Sequence, residues 1–472
     1  MKTRLKAFYT INISVTIFLI SLYCISLIFQ LKTFNFCWLL FSSIVLIYLI
    51  NDISSFLKYR KFNIPFFVFF LFYFILIIFD PLQSILLTGD ISYSLKFMKP
   101  KNSSLLLSGL SHAIFFLIIL FFRSPKFEFR KSNINCKKPI LNLRLVILLL
   151  LINLIGFYPY LADGVEGFVE IILSSRSIGN SQFKNIGLGN NNFIIHLSTL
   201  IISVGSILGY YILYSKSKYK NLKIFIFIVL IINILIVASS GTRTRIILLI
   251  VPIFSYIIFL RTEKIFNISN KKILIFTSFL LILLSLMTEF RKIGFSDLNK
   301  TKSINLKFDG LNLNNEFIYC IEKFSKPVEN RNFFQCIIYP IPEQLIKFIT
   351  NPIPRVYYKN KYLDPSFAEF NQLRIGNSGF DEGFNITPTI FGRFYMLYGF
   401  IGIFYISFFI GFVLKKITIY INNSNSLFEI FLNFCFLAFL CQSIRDLSPG
   451  WIYSFIFTYL IYRILKINSL NV

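Results

Sequence analysis

The stretch that decides the fold is "IVASSGTRTRIILLIV", residues 236–251. An apolar run enters it and another leaves it, and the polar gap between them, residues 239–245, is short. Such runs are typical of membrane-crossing helices joined by a tight turn. The gap nevertheless holds Arg243 and Arg245, and arginine beside a membrane span is costly. The stretch therefore predicts two membrane helices, and the two arginines between them require a separate explanation.

The composition extends this reading to the whole chain. Of the 472 residues, 56% are hydrophobic and only 15% are charged, with a mean hydropathy of +0.69. Soluble domains are less apolar than this. In lipid, helices satisfy their own backbone groups, so the prediction is an all-α polytopic membrane protein. The N-terminal "MKTRLK" and the apolar run after it predict a first span rather than a signal peptide, because no small-residue cleavage site follows.

The apolar runs predict about twelve transmembrane helices. They are placed at residues 8–30, 35–50, 63–80, 103–122, 145–160, 193–214, 224–239, 246–260, 273–288, 395–414, 427–443 and 449–463.

The distribution of Lys and Arg predicts the orientation of these spans. With both termini in the cytoplasm, the inner segments carry 25 of these residues, against nine in the short outer loops. This bias explains much of the formal net charge of +27 and makes nucleic-acid binding a poor interpretation. Arg243 and Arg245 then lie outside, where topology does not call for them.

The same topology divides the chain into three parts. Residues 1–288 hold spans one to nine with short loops, and residues 395–472 hold the last three spans and the cytoplasmic C-terminus. Between them, residues 289–394 form one large outer loop. It is too apolar for disorder and too long for a plain connector, so short interfacial helices are expected in it.

The candidate binding residues are basic side chains in the outer segments. Guanidinium groups bind phosphate oxygens in bidentate fashion, so several of them around one outer cavity would attract a ligand with two or more phosphates. The alternative is that single arginines at span ends reach toward lipid headgroups. Arg445 has a further alternative, a local ion pair with Asp446. The candidates are Arg176, Arg243, Arg245, Arg291, Arg355, Lys361 and Arg445.

The candidate catalytic residues are outer groups that can take a proton. A carboxylate or imidazole near the arginines would act as a general base on a sugar hydroxyl. The alternative for the acids is a helix-capping role, and for a histidine a structural hydrogen bond. The candidates are Asp381, Glu382, Asp446 and His196, with His112 as a further option.

Metal and redox chemistry find little support in the sequence. The chain has two histidines and no CxxC motif, so no metal site is predicted. Cys320 and Cys336 share the 289–394 loop and would be able to pair if that loop faces an oxidising compartment.

Several of these stretches resemble those of bacterial O-antigen polymerases, more closely the oligosaccharide repeat-unit polymerases. "SSGTRTRIILLIV" is similar to their Ser-Gly-Ser-Arg turn before an apolar helix, and "NPIPRVYYKNKYLD" to an Ile-Pro-Arg segment of their large loop. "TPTIFGRFYMLYGFIGIF" resembles the opening of a late span, and "IRDLSPG" the turn before the last one. The chain departs from the family pattern at Arg393, where a Glu is usual, and at Leu397, where an Asn is usual.

The resemblance implies a GT-C-like glycosyltransferase of the bacterial inner membrane, with the 289–394 loop in the periplasm. It would join undecaprenyl-diphosphate-linked oligosaccharides, as donor and acceptor, at the periplasmic face, without a metal or other cofactor. A chain-length regulator would be an additional partner. Two alternatives remain: a flippase or transporter for lipid-linked oligosaccharide, and an O-antigen ligase. The lack of an internal repeat and the length of the outer loop disfavour the flippase.

Overall fold

The computed structural model describes most of the predicted spans and part of the long loop. The described residues are 2–59, 63–89, 91, 100–123, 143–161, 164–173, 199–214, 220–239, 243–263, 313–324, 370, 373, 388–424, 426–445 and 449–470.

Within these ranges the longer secondary-structure elements are helices. In chain order they are α1 (Lys2–Ile28), α2 (Phe34–Tyr59), α3 (Ile64–Tyr73), a π-helical turn (Phe74–Ile78), α4 (Phe79–Thr88), α5 (Asn102–Phe122), α6 (Leu143–Leu161), α7 (Gly164–Leu173), α8 (Thr199–Tyr214), α9 (Lys220–Ser239), α10 (Arg243–Thr262), α11 (Leu313–Lys323), α12 (Thr389–Tyr398), α13 (Ile401–Asn423), α14 (Leu427–Ser443) and α15 (Pro449–Leu470).

Six of these segments are long and apolar enough to cross a membrane, and five shorter apolar helices accompany them in the described part of the chain. The six are α1, α2, the α3–π–α4 unit, α5, α6 and α13. The predicted class, an all-helical polytopic membrane protein, is confirmed. The predicted span at 273–288 lies outside the described residues, so the number twelve stays a prediction.

Large apolar side chains on the outer surface of the bundle fit a lipid environment. In α1, Phe18 is 60% exposed, and in α9, Ile224 is 59% exposed. The interior is filled mainly by aromatic rings, with Trp38, Phe70 and Phe116 fully or almost fully buried. A surface this apolar would be costly in water and is stable against lipid tails.

The third span contains a π-helical turn with an identifiable cause. Pro81 has no backbone N–H, so the regular helical hydrogen bond to Ile77 cannot form. Two residues earlier, the Phe79 N–H bonds the carbonyl of Phe74 in the wider i→i+5 pattern. Tyr73 ends α3 directly before this turn and is fully buried.

Polar contacts between helix ends define two opposite ends of the bundle. At one end, Asn35 donates to the carbonyl of Gly89 at 3.1 Å and Asn102 to that of Leu31 at 2.9 Å. These segments are all ones that the sequence predicts outside, and this end is called the outer end below. Whether it faces the periplasm stays a prediction.

The opposite, inner end joins segments that the sequence predicts inside. Arg123 makes a bidentate ion pair with Asp52, with contacts of 2.7 and 3.0 Å, and also bonds the Tyr48 hydroxyl. Arg261 lies over the ring of Phe56, with 4.8 Å from Cζ to the ring centroid. The grouping of helix ends therefore follows the alternation that the Lys and Arg pattern predicts.

The predicted span at 395–414 is interrupted in the structure. α12 ends at Gly399, whose φ of +63° and ψ of −150° suit glycine and stop the helix, and α13 starts at Ile401. The two helices meet closely, because a Cβ at Gly402 would collide with the Phe394 carbonyl. α12 also extends across the boundary predicted between residues 394 and 395. The apolar run hid this break because hydropathy does not register a single backbone torsion.

Candidate functional site

The orientation of α10 follows from its packing against α8. A Cβ on Gly205 would lie 2.7 Å from the Leu249 side chain, and one on Gly209 would meet Ile253. Both contacts keep the same residue offset, so the two helices run parallel and start at the same end. Glycine at two successive turns allows this close approach, as is common between helices in membranes.

The same end receives the start of α15 and the end of α14. Ser203, early in α8, donates to the carbonyl of Ser454, early in α15, at 2.9 Å. α14 runs antiparallel to α15, because Phe428 stacks on Tyr462 near the far end while Phe436 contacts Phe455. α14 therefore ends where α8, α10 and α15 begin.

Two predicted binding segments consequently share one end of the bundle. Arg243 and Arg245 occupy the first turn of α10, and Arg445 lies two residues beyond the end of α14 and is half-buried. α10 and α14 pack along each other, with Tyr256 against Phe431. The positive dipole end of α10 also lies here.

A third segment of the resemblance, at the start of α12, is hydrogen-bonded to the same place. The Ile390 N–H donates to the carbonyl of Ile444 at 3.3 Å, immediately before Arg445. Thr389 precedes it with a φ of +65°, an uncommon value for a β-branched residue, and is 1% exposed. Its Oγ1 accepts a bond from the Gly392 N–H at 3.1 Å, which caps α12. Backbone strain of this kind is frequent near functional sites.

The structure thus brings together, at the outer end of the bundle, the described parts of three predicted segments: the first turn of α10, the start of α12 and the end of α14 with Arg445. The other predicted site residues lie outside the described residues, and their roles stay predictions. They are Arg176, His196, Arg291, Arg355, Lys361, Asp381, Glu382 and Asp446.

His112, the alternative base, lies in a buried hydrogen-bonded network. The Tyr73 hydroxyl is 2.8 Å from its Nδ1, and its Nε2 is 3.0 Å from Oδ1 of Asn314 in α11. Ser108 donates to the same Oδ1 at 2.9 Å. Both ring nitrogens are therefore occupied, and the side chain is fully buried. This arrangement favours the structural alternative for His112.

The network fixes α11, a helix of the predicted large loop, to the bundle. Phe317 of α11 contacts the rings of His112 and Phe391, with centroids 5.4 and 5.8 Å apart. Near the outer start of α5, Glu322 accepts bonds from the Ser104 hydroxyl at 2.5 Å and the Lys101 N–H at 3.3 Å. Lys101 directly precedes α5 and Ser104 lies in its first turn, so Glu322 connects the loop to the start of that helix.

Cys320 connects α11 to the start of α12. A Cβ on Gly392 would lie 2.7 Å from its Sγ, so glycine is needed for this contact. The thiol is free and fully buried. Burial raises its pKa well above the usual value, and the charge of Glu316 adds to that effect. The pairing considered with Cys336 is not formed, and Cys336 itself lies outside the described residues.

Arg393 marks the departure from the family pattern. It lies in α12, four residues after strained Thr389, and is only 3% exposed. A long basic side chain buried at this end adds positive charge where the resemblance expects a carboxylate.

Sequence reasoning missed three residues at this end of the molecule. Thr389, Asn314 and Gln442 are each 1% exposed or less. The sequence could have pointed to Gln442, because it is an uncharged polar residue inside an apolar span directly before "SIRDLS". The torsion of Thr389 and the partner of Asn314 have no counterpart in a one-dimensional pattern.

The fold and this end of the bundle define a multi-spanning helical membrane protein whose unusual polar segments gather on one side. Residues 10–470 match the family model described as O-antigen polysaccharide polymerase Wzy, and the chain belongs to this family. Proteins of this family polymerise O-antigen repeat units in the membrane, a step of lipopolysaccharide biosynthesis. The comparisons with curated proteins and with solved structures gave no match.

Proposed function

We propose that the chain polymerises undecaprenyl-diphosphate-linked repeat units at the periplasmic face of the inner membrane, as a metal-independent, GT-C-like glycosyltransferase with twelve spans. The observation that carries this proposal is the gathering of the α10, α12 and α14 segments at one end, in a chain that matches the family over residues 10–470.

The proposed reaction transfers a growing glycan between lipid carriers. The bond between the anomeric carbon of the donor glycan and its diphosphate breaks, and undecaprenyl diphosphate leaves. A hydroxyl at the non-reducing end of the acceptor repeat unit forms the new glycosidic bond and gives its proton to a base. Asp381, Glu382, Asp446 and His196 are the proposed candidates for that base.

The proposed role of the basic residues is to hold the diphosphate. Negative charge develops on this leaving group as the glycosidic bond breaks, and positioned cations stabilise such charge. Arg243, Arg245 and Arg445 would act from the described end of the bundle. Arg176, Arg291, Arg355 and Lys361 would act from the outer loops. A role in binding the diphosphate would also account for arginines in the outer segments, where the positive-inside rule disfavours them.

The test is complementation of a strain that lacks this gene. We expect the wild-type chain to restore long O-antigen, while Arg243→Ala and Arg355→Ala, tested separately, leave single repeat units on the lipopolysaccharide. Membrane levels of both variants are measured by immunoblot. Normal chain lengths in both variants would remove the proposed diphosphate site.

The same deletion strain distinguishes the two alternative functions. Loss of a polymerase leaves lipopolysaccharide bearing one repeat unit. Loss of a flippase leaves no repeat unit at the surface, and loss of a ligase leaves lipid A core without glycan. Either of the last two phenotypes would contradict the polymerase assignment.

A further inference from the structure

Gln442, near the end of α14, is a buried amide without a hydrogen-bond partner among the described residues. Its exposure is 0%, and neither Nε2 nor Oε1 is bonded. An amide offers two donors and an acceptor with two lone pairs, and buried amides are nearly always satisfied. A polar group that folding leaves open at such cost points to a role in binding.

The helical spacing shows which way Gln442 faces. Residues 431, 438 and 442 recur at i, i+7 and i+11, which places them on one face of α14. Phe431 on this face contacts Tyr256 of α10 and Tyr210 of α8. Gln442 therefore lies on the face of α14 that packs toward α10, one turn inside Arg445.

The position also adjoins the hydrogen bond between α12 and α14. Ile444, whose carbonyl accepts from Ile390, is two residues from Gln442. Because α10 and α14 are antiparallel, this level of α14 corresponds to the first turns of α10. The open amide is thus close to the three segments that form the candidate site.

The amide of Gln442 suits the sugar part of a lipid-linked glycan better than the diphosphate part. Guanidinium groups suit the diphosphate, whereas a neutral group with both donors and an acceptor suits hydroxyls, which also donate and accept. We propose that Gln442 hydrogen-bonds sugar hydroxyls of the lipid-linked repeat unit. This inference rests on the proposed polymerase function.

Replacement by methionine separates a binding role from a structural one. Gln442→Met keeps a similar length and removes the polar atoms. In the purified full chain without substrate, we expect an unchanged or higher Tm, because a desolvated, unpaired amide is removed. A clear fall in Tm would mean that Gln442 is held by structural hydrogen bonds and would overturn the proposal.

Steady-state kinetics with undecaprenyl-diphosphate-linked repeat unit, isolated from the deletion strain, tests the ligand. For Gln442→Met we expect KM to rise about tenfold, as for the loss of hydrogen bonds to a substrate, with kcat nearly unchanged. Binding of undecaprenyl diphosphate without a glycan should not change. An unchanged KM, or equal weakening for both lipids, would overturn the sugar assignment.

Asn433→Leu supplies a matched control on the same helix. Within the described part of the chain, the Asn433 amide bonds only the Glu429 carbonyl of its own helix, and it lies on the face opposite Phe431. We expect its KM to stay at the wild-type value. If the wild-type chain itself fails to polymerise this substrate, the proposed function fails. If it polymerises normally and Gln442→Met does the same, only the present inference fails.

Discussion

At the scale of single residues, the proposed diphosphate site depends on the type of positive charge at the outer end as well as on its sign. Arg243 begins a helix, and Arg445 follows the end of the antiparallel neighbour. Guanidinium is planar and binds two phosphate oxygens at once, whereas the ammonium group of lysine acts as a compact point charge. Substitutions between these two residue types therefore separate bidentate binding from simple attraction.

The first prediction concerns Arg243. We expect Arg243→Lys to restore O-antigen chains only in part, with a shorter mean length than wild type, while Arg243→Ala restores none. Chain length is measured by gel electrophoresis of lipopolysaccharide. Arg463→Ala is the control, because this exposed arginine near the inner end contacts only Tyr459 of its own helix in the described part of the chain. Full activity of Arg243→Lys would show that charge alone is sufficient.

A second prediction concerns the strained start of α12. Thr389→Val keeps the β-branched shape and the positive φ but removes the hydroxyl that caps Gly392. Loss of such a cap costs about 1–2 kcal/mol, so we expect a lower Tm in detergent. Thr389→Ser keeps the cap and relieves crowding at Cβ, so its Tm should equal or exceed that of wild type. A lower Tm for Ser than for Val would contradict the capping role.

At the scale of elements, α11 shows how the long loop is tied to the bundle. Its Asn314 meets His112 of α5, and its Cys320 lies against Gly392 of α12. Movement of α11 would therefore disturb both a membrane helix and the start of α12. The loop and the spans are coupled through packing rather than through chain connectivity alone.

The third prediction is energetic coupling between His112 and Asn314. Each single variant, His112→Leu and Asn314→Leu, leaves a buried polar partner without its bond, and we expect each to destabilise the protein by about 2–3 kcal/mol. The double variant removes both groups, so its destabilisation should be about 1 kcal/mol smaller than the sum of the two single effects. Thermal unfolding of all four proteins measures this cycle.

The same cycle tests whether His112 has a catalytic role after all. If His112 is only structural, a double variant that still folds should still polymerise O-antigen. A stable but inactive double variant would instead assign chemistry to His112. Additive single effects would contradict the coupling.

The elements also show where sequence reasoning succeeds and where it stops. Hydropathy located α5 and α14 well, because a buried or lipid-facing helix must be apolar along its length. It missed the break at Gly399, which depends on one torsion angle inside an apolar run. It also left His112 undecided between base and structural residue, because its partner Asn314 lies 202 residues away. Contacts between such distant segments are set by packing, which a single sequence does not encode locally.

At the scale of the whole molecule, the two sets of helix ends fit the predicted topology. The inner end gathers Asp52, Asn63, Arg123 and Thr418, and the outer end gathers the segments of the candidate site. The sequence could predict this alternation because the positive-inside rule acts on loop charge and not on tertiary contacts. The sequence also predicts which segments carry the candidate site, which stays a prediction, but it could not predict that α12 bonds to the end of α14.

The fourth prediction concerns sidedness. For fusions within residues 124–142 we expect fluorescence of green fluorescent protein and no alkaline phosphatase activity. For fusions within residues 92–99 we expect phosphatase activity and no fluorescence. The reason is the excess of Lys and Arg in the first segment and its place beyond the inner end of α5. Paired fusions of green fluorescent protein and alkaline phosphatase measure both. The reverse pattern would invert the topology and move the candidate site to the cytoplasm.

The buried pair of Asp52 and Arg123 constrains how the chain is made. The partners are 71 residues apart, so α2 leaves the ribosome and enters the bilayer well before α5 supplies the guanidinium. During that interval the Asp52 carboxylate has to stay hydrated at the interface or be protonated, since an unpaired charge in lipid is costly. Nascent chains that end before α5 should therefore be held incompletely inserted and become targets of membrane proteases, which makes biosynthesis itself a checkpoint for this pair.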